Sequence, residues 1–206
     1  VIELYISTLI TFFVVIDPPG CAPIYAGLSA SASPVQKRSM AIRAVVVASL
    51  ILVVFAAFGE SLLHGLGINL ASFRIAGGIM LFLIALEMVF EKRTQRREDR
   101  AAEVAADPEA EDVSIFPMAM PMIAGPGSIA TVMLLMARTN GIQATLVVLA
   151  AMGTILLLTL AALLAAGPLM RLLGTRIEAV ITRVLGVLLA ALAVQFVIDG
   201  LQLSLR

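Results

Sequence analysis

Residues Ile16-Asp17-Pro18-Pro19-Gly20-Cys21-Ala22-Pro23 put a carboxylate and three prolines inside sequence that is otherwise apolar. Hydrocarbon offers no partner to the backbone N–H and C=O groups that such a break frees, at a cost of several kcal/mol each. The break therefore persists only where it is packed inside protein or lines a wet cavity. A second run of this kind, Pro117-Met118-Ala119-Met120-Pro121-Met122-Ile123-Ala124-Gly125-Pro126-Gly127-Ser128, opens the second half of the chain. Two interrupted apolar segments at corresponding places point to the binding site of a transporter.

The surroundings set the class. Of the 206 residues, 61% are hydrophobic and 14% charged, against about a quarter charged in a soluble domain. Mean hydropathy is +1.06, so a polytopic, all-α membrane protein in contact with lipid is expected. Lys plus Arg and Asp plus Glu are each 14, which gives no reason to expect a nucleic-acid partner. The single cysteine, Cys21, excludes an internal disulfide and fits no metal spacing, and no cofactor is expected. The first apolar segment has no basic start and no small-x-small site before Asp17, so it reads as a retained span rather than a signal peptide.

Six spans follow in order. Val1 to Ile16 continues across the break through Ala22 to Leu28, and Ser29 to Arg43 forms a polar connection. Ala44 to Leu63 and Leu70 to Phe90 are the second and third spans, joined by a short turn from His64 to Asn69. Glu91 to Ser114, which holds EKRTQRREDR and an Ala/Glu/Asp tract with Pro108, reads as a solvated, mobile linker. Ile115 to Met136, Ile142 to Ala166 and Ile177 to Ile198 are the remaining spans, with turns at Arg138-Thr139-Asn140-Gly141 and from Gly167 to Arg176.

A weak internal repeat joins the halves. Pro19-Gly20 leads to Arg74-Ile75-Ala76-Gly77, and Pro126-Gly127 leads at nearly the same separation to Arg183-Val184-Leu185-Gly186. Three spans per unit force the second unit to enter the membrane from the opposite side. The expected architecture is two inverted three-helix repeats, residues 1–90 and 115–206, each with a broken first helix, joined by the charged linker 91–114. Lys37, Arg38, Arg43, Lys92, Arg93, Arg96, Arg97, Arg100, Arg171 and Arg176 fall in connections one, three and five, and only Arg138 and Arg206 fall clearly on the other side. The positive-inside rule then places the linker in the cytoplasm and both termini in the periplasm.

The candidate substrate-binding residues are Asp17, Pro18, Gly20, Cys21, Gly125, Gly127, Ser128 and Thr131. A carboxylate within a span faces the interior and has a partner. Asp17 either binds ligand or caps the half-helix opened by Pro18 and Pro19, and the two roles are compatible. Gly125 and Gly127 let backbone N–H groups approach a ligand, Pro126 presets a half-helix start, and Ser128 and Thr131 add hydroxyls on its first turn. The alternative is that these residues only kink helices for packing. A half-helix N-terminus suits a carboxylate and Asp17 suits an ammonium, so together they would hold a small zwitterion. Arg74 and Arg183 are either interfacial anchors or partners of acids such as Glu60 or Asp199; Gly77, Gly78 and Gly186 suit close helix approach. No HExxH or Gly-x-Ser-x-Gly is present, and no second intramembrane carboxylate pairs obviously with Asp17, so enzyme chemistry is not expected.

Four segments carry a resemblance to a known family: DPPGCAPIYAGLS at Asp17 to Ser29, FRIAGGIMLFLIALEMVF at Phe73 to Phe90, PMAMPMIAGPGSIATV at Pro117 to Val132, and TRVLGVLLAALAVQFVIDG at Thr182 to Gly200. In these the chain resembles the MarC family of integral membrane proteins. The resemblance implies a six-span bacterial inner-membrane protein, and some relatives are described as neutral amino acid transporters. The family often carries Asn where this chain has Cys21, which removes a polar group from the expected site. The reading that follows is a transporter or exporter of small neutral amino acids of the glycine, alanine and serine class, with H⁺ or Na⁺ as possible coupling ion. The alternatives are a carrier of another small metabolite and a membrane interaction or assembly factor without transport.

Overall fold

The computed structural model describes residues 1–105, 112–139 and 141–205. Pro108, Asn140 and Arg206 lie outside the described residues, and for Arg171 and Arg176 only the helical backbone is described. All regular structure among the described residues is helical. Five stretches are long and apolar enough to cross a membrane: Ile2–Leu28, Pro34–Gly65, Leu70–Val89, Ile142–Leu164 and Ala179–Ser204. The pair Ser114–Ile123 and Pro126–Met136, bent by 51°, makes a sixth if counted as one span. The chain is thus an all-α, polytopic membrane protein.

The first stretch is two helices, α1 (Ile2–Ile16) and α2 (Pro18–Leu28), meeting at Asp17 in the left-handed region with φ 58°. Proline at the first two positions of α2 cannot donate N–H groups to a continuing helix, so the chain restarts there. Helix α3 (Pro34–Gly65) begins earlier than hydropathy suggests. Ser33 and Gln36 form a reciprocal capping box, with Pro34 presetting the first turn, so most of the expected polar connection is helix. Helix α4 (Leu70–Val89) is capped by Asn69, whose side chain accepts from the Ala71 N–H at 2.8 Å.

Two expectations are corrected here. The solvated linker instead begins with a helix, α5 (Lys92–Ala105), that packs on α2 and α4 and carries two arginines inward. The connection expected from Gly167 to Arg176 is helical as well: α7 (Ile142–Leu164) is followed at once by α8 (Ala166–Ser204). Pro168 falls in the first turn of α8, where its missing N–H would have had no intrahelical acceptor. Between α5 and α7, an irregular stretch from Ser114 to Ile123, extended at Phe116 and Met120, leads into α6 (Pro126–Met136).

Helices α4 and α8 form the most extensive pairing. A Cβ on Gly78 would lie 2.8 Å from the Ala193 carbonyl, one on Gly186 3.1 Å from Ala85, and one on Gly200 2.9 Å from Ala71. The positions rise along one helix as they fall along the other, so the pair is antiparallel, and glycines on both sides admit the backbones to contact. Gly77 faces α6 instead, where a Cβ would meet Leu134 Cδ1 at 2.8 Å. Outward faces remain apolar, including Val46, Leu50, Val53 and Phe58 of α3, as lipid contact requires.

Candidate functional site

The first break is closed by its own residues. Asp17 is 1% exposed, and its carboxylate accepts from the Gly20 N–H at 3.2 Å, capping α2. Its other oxygen accepts from Arg97 Nη1, also at 3.2 Å, across 80 residues of sequence. A carboxylate here needs a cation to offset its lost hydration, and Arg97 on α5 supplies it. Gly20 leaves room for this pair: a Cβ there would strike the Asp17 carboxylate and come within 3.1 Å of Arg97 Nη1. Cys21 is buried and directs its thiol to the Ile16 carbonyl at 3.5 Å.

Helix α5 delivers two further arginines to the same region. Arg93 donates from Nη2 to the Val15 carbonyl at 2.7 Å and from Nη1 to Met88 Sδ at 3.0 Å. It thereby satisfies one of the carbonyls at the end of α1 that the break leaves without an intrahelical donor. Arg96 pairs with Glu87 of α4 at 2.8 Å. Burial of Arg93, with the like charge of Arg97 beside it, pulls its pKa down to about 10, which leaves it a cation at neutral pH.

The second break is open. Helix α6 starts at Pro126 without a side-chain cap; the Ser128 hydroxyl instead donates back to the Ile123 carbonyl at 2.7 Å. First-turn N–H groups of a helix have no intrahelical acceptor, and they carry the positive end of its dipole. The residues of this helix start, Gly125, Gly127 and Ser128, line a cavity of about 410 Å³ together with Glu87, Arg93, Arg96 and Arg97. Val15 lines it too, and a Cβ on Gly127 would lie 3.5 Å from Val15 Cγ1, so the cavity sits beside both breaks.

The structure brings together part of the expected site. Gly125, Gly127 and Ser128 line the cavity, whereas Asp17, Pro18, Gly20 and Cys21 are buried beside it and do not. Thr131 is buried one turn further along α6, its hydroxyl without a partner. Glu60, Arg74 and Arg183 lie away from the cavity, and the pairings suggested for them are not formed. Arg183 pairs with Glu91, and Asp199 takes Arg138, which also stacks over Phe196 at 4.5 Å. Arg74 donates to the Ala137 carbonyl at 3.4 Å, and Glu60 borders a separate surface cleft with His64. The antiparallel α4–α8 pair explains these partners, because it puts Arg183 beside the end of α4 and Asp199 beside its start, where Arg74 reaches the Ala137 carbonyl just past α6.

Sequence reasoning missed Glu87, Arg93, Arg96 and Arg97. The signal was present: Arg93, Arg96, Arg97 and Arg100 recur at i, i+3, i+4 and i+7, one face of a helix. Among the described residues, no group of three or more His, Cys, Asp and Glu side chains is placed to hold a metal ion.

Comparison with known proteins agrees with this class of molecule. The family profile described as "MarC family integral membrane protein" matches residues 2–205. A UPF0056 membrane protein of Aquifex aeolicus is 32% identical over 203 residues, covering 98% of this chain and 94% of that one. A UPF0056 membrane protein of Archaeoglobus fulgidus is 30% identical over 200 residues, with 97% and 93% covered. The UPF0056 inner membrane protein YhgN of Escherichia coli is 30% identical over 201 residues, with 98% of each covered. No solved structure matches the chain.

Proposed function

The chain belongs to the MarC family of integral membrane proteins, and from that premise we propose that it transports small neutral amino acids of the glycine, alanine and serine class. The observation that carries the reading is the cavity at the uncapped start of α6, with charges of both signs on its wall. A carboxylate suits the N–H groups of Gly127 and Ser128, and an ammonium suits Glu87, which lines the same cavity, or Asp17 once Arg97 withdraws. At about 410 Å³ the cavity has room for a small zwitterion together with water.

In this reading residues 1–90 and 115–206 are inverted repeats, and the antiparallel α4–α8 pair supports that arrangement, since those helices would be equivalent elements across the pseudo-twofold axis. The linker 91–114 would lie in the cytoplasm of a bacterial cell and the termini in the periplasm, as the distribution of Lys and Arg suggests. H⁺ or Na⁺ coupling would draw on Asp17 or Glu87.

The test is uptake of radiolabelled glycine and alanine by proteoliposomes of the wild type, Asp17→Asn and Glu87→Gln, with and without imposed proton and sodium gradients. Wild-type flux that responds to one gradient and falls in Glu87→Gln supports the reading. Absence of wild-type flux under every gradient rejects it in favour of another small metabolite or an assembly role.

A further inference from the structure

We propose that Arg93 is the residue that reads the substrate's carboxylate, which makes helix α5 part of the binding site rather than a tether between the halves. The inference rests on the cavity's being the transport site, and it names a residue and a chemistry within it.

Charge accounting around the cavity leads there. Three arginines, Arg93, Arg96 and Arg97, line the wall. Arg96 is matched by Glu87 at 2.8 Å and Arg97 by Asp17 at 3.2 Å. Arg93 has neutral acceptors only, the Val15 carbonyl and the Met88 thioether, and no carboxylate pairs with it among the described residues. Three cations against two carboxylates leave one positive charge in excess, and withdrawing an unmatched cation from water is costly. An uncapped helix start whose residues also line the cavity adds partial positive charge and cancels nothing. Both features call for an anionic group in the cavity, and a planar guanidinium suits a carboxylate.

The contacts of Arg93 also fix its place. Its hydrogen bond to Val15 ties it to the end of α1, and Val15 touches the space that a Cβ on Gly127 would fill. A carboxylate that engaged the remaining guanidinium N–H groups of Arg93 and the α6 N–H groups would therefore bridge the two breaks. Substrates without a carboxylate would lose that bridge.

The experiment compares binding of glycine, glycinamide and propionate to purified full-length protein, as wild type, Arg93→Gln and Arg93→Lys. Glycinamide keeps the ammonium and lacks the carboxylate; propionate has only the carboxylate. The wild type is expected to bind glycine and propionate at least about tenfold more tightly than glycinamide, the equivalent of one charged hydrogen bond. Arg93→Gln is expected to abolish that preference while retaining weak glycinamide binding, which controls for folding, and Arg93→Lys to restore part of it. An unchanged preference in Arg93→Gln overturns the inference and leaves the transport reading standing. Propionate bound in an Arg93-dependent way without glycine binding keeps the inference and rejects the amino acid. A wild type that binds none of the three overturns both.

Discussion

At the first break the chain satisfies itself, and at the second it does not. Asp17 spends one carboxylate oxygen on the Gly20 N–H and the other on Arg97, and Gly20 has no Cβ because that pair fills the space. The second break has the same ingredients of proline, glycine and a short polar side chain, yet the Ser128 hydroxyl turns back to Ile123 and α6 begins uncapped beside a cavity. One break thus holds the structure and the other keeps polar groups available. Helix-breaking residues in a span do not by themselves say which of these they do; the fate of the freed N–H groups does.

The largest effect should come from breaking the closed side. Arg97→Ala leaves the Asp17 carboxylate buried without its cation, and losses of about 3–5 kcal/mol are typical of such truncations. Unfolding of the detergent-solubilised protein by heat or denaturant measures it. The double variant Asp17→Asn/Arg97→Gln should recover most of the loss, because the amide still accepts from Gly20 and no charge is stranded. Equal stability of Arg97→Ala and wild type would mean that the pair is dispensable and that the contrast between the breaks is misplaced.

Glycine substitutions sharpen the same contrast. Gly20→Ala drives a methyl into the Asp17–Arg97 pair, and overpacking of this kind costs about 1–3 kcal/mol. Gly127→Ala meets the end of a flexible side chain, Ile84 Cδ1 at 2.6 Å, and should cost less stability while lowering uptake. The two variants made in parallel, scored for melting and for flux, should therefore rank in opposite orders. Ser128→Ala removes only the bond to the Ile123 carbonyl, so about 1 kcal/mol is expected.

How far the sequence carried this picture depends on the kind of signal. Spans and breaks were legible because hydropathy and proline act locally: Leu70 to Phe90 and Ile142 onward fall where the apolar runs put them. Helix ends set by caps were less so, since the Ser33–Gln36 box extends α3 through residues that hydropathy assigns to a loop. The partner of Asp17 was missed because a mixed-charge tract reads as solvated until something buried needs its cations. Periodicity could have singled out Arg93, Arg96 and Arg97, but their destination depends on how α5 lies against α2 and α4, which no local pattern carries.

The smallest expected effect tests the charge assigned to Arg93. Its pKa in the folded protein, about 10, lies below the ordinary arginine value, so folding disfavours its charged form. With the base depressed in the folded state, stability gains nothing from this group below pH 10 and rises only as pH climbs from there towards the unfolded value. Between pH 6 and 8 Arg93 stays charged in both states, so its contribution to stability and to carboxylate binding should be flat. Glycine affinity measured across that interval should change only through other groups, and Arg93→Lys should give a profile parallel to the wild type with weaker binding. Above pH 10 the two open-side requirements separate: the N–H groups of α6 do not titrate, whereas Arg93 does. A wild-type propionate affinity that held constant beyond that point would assign carboxylate recognition to the helix start alone, and the second break would then need no help from α5.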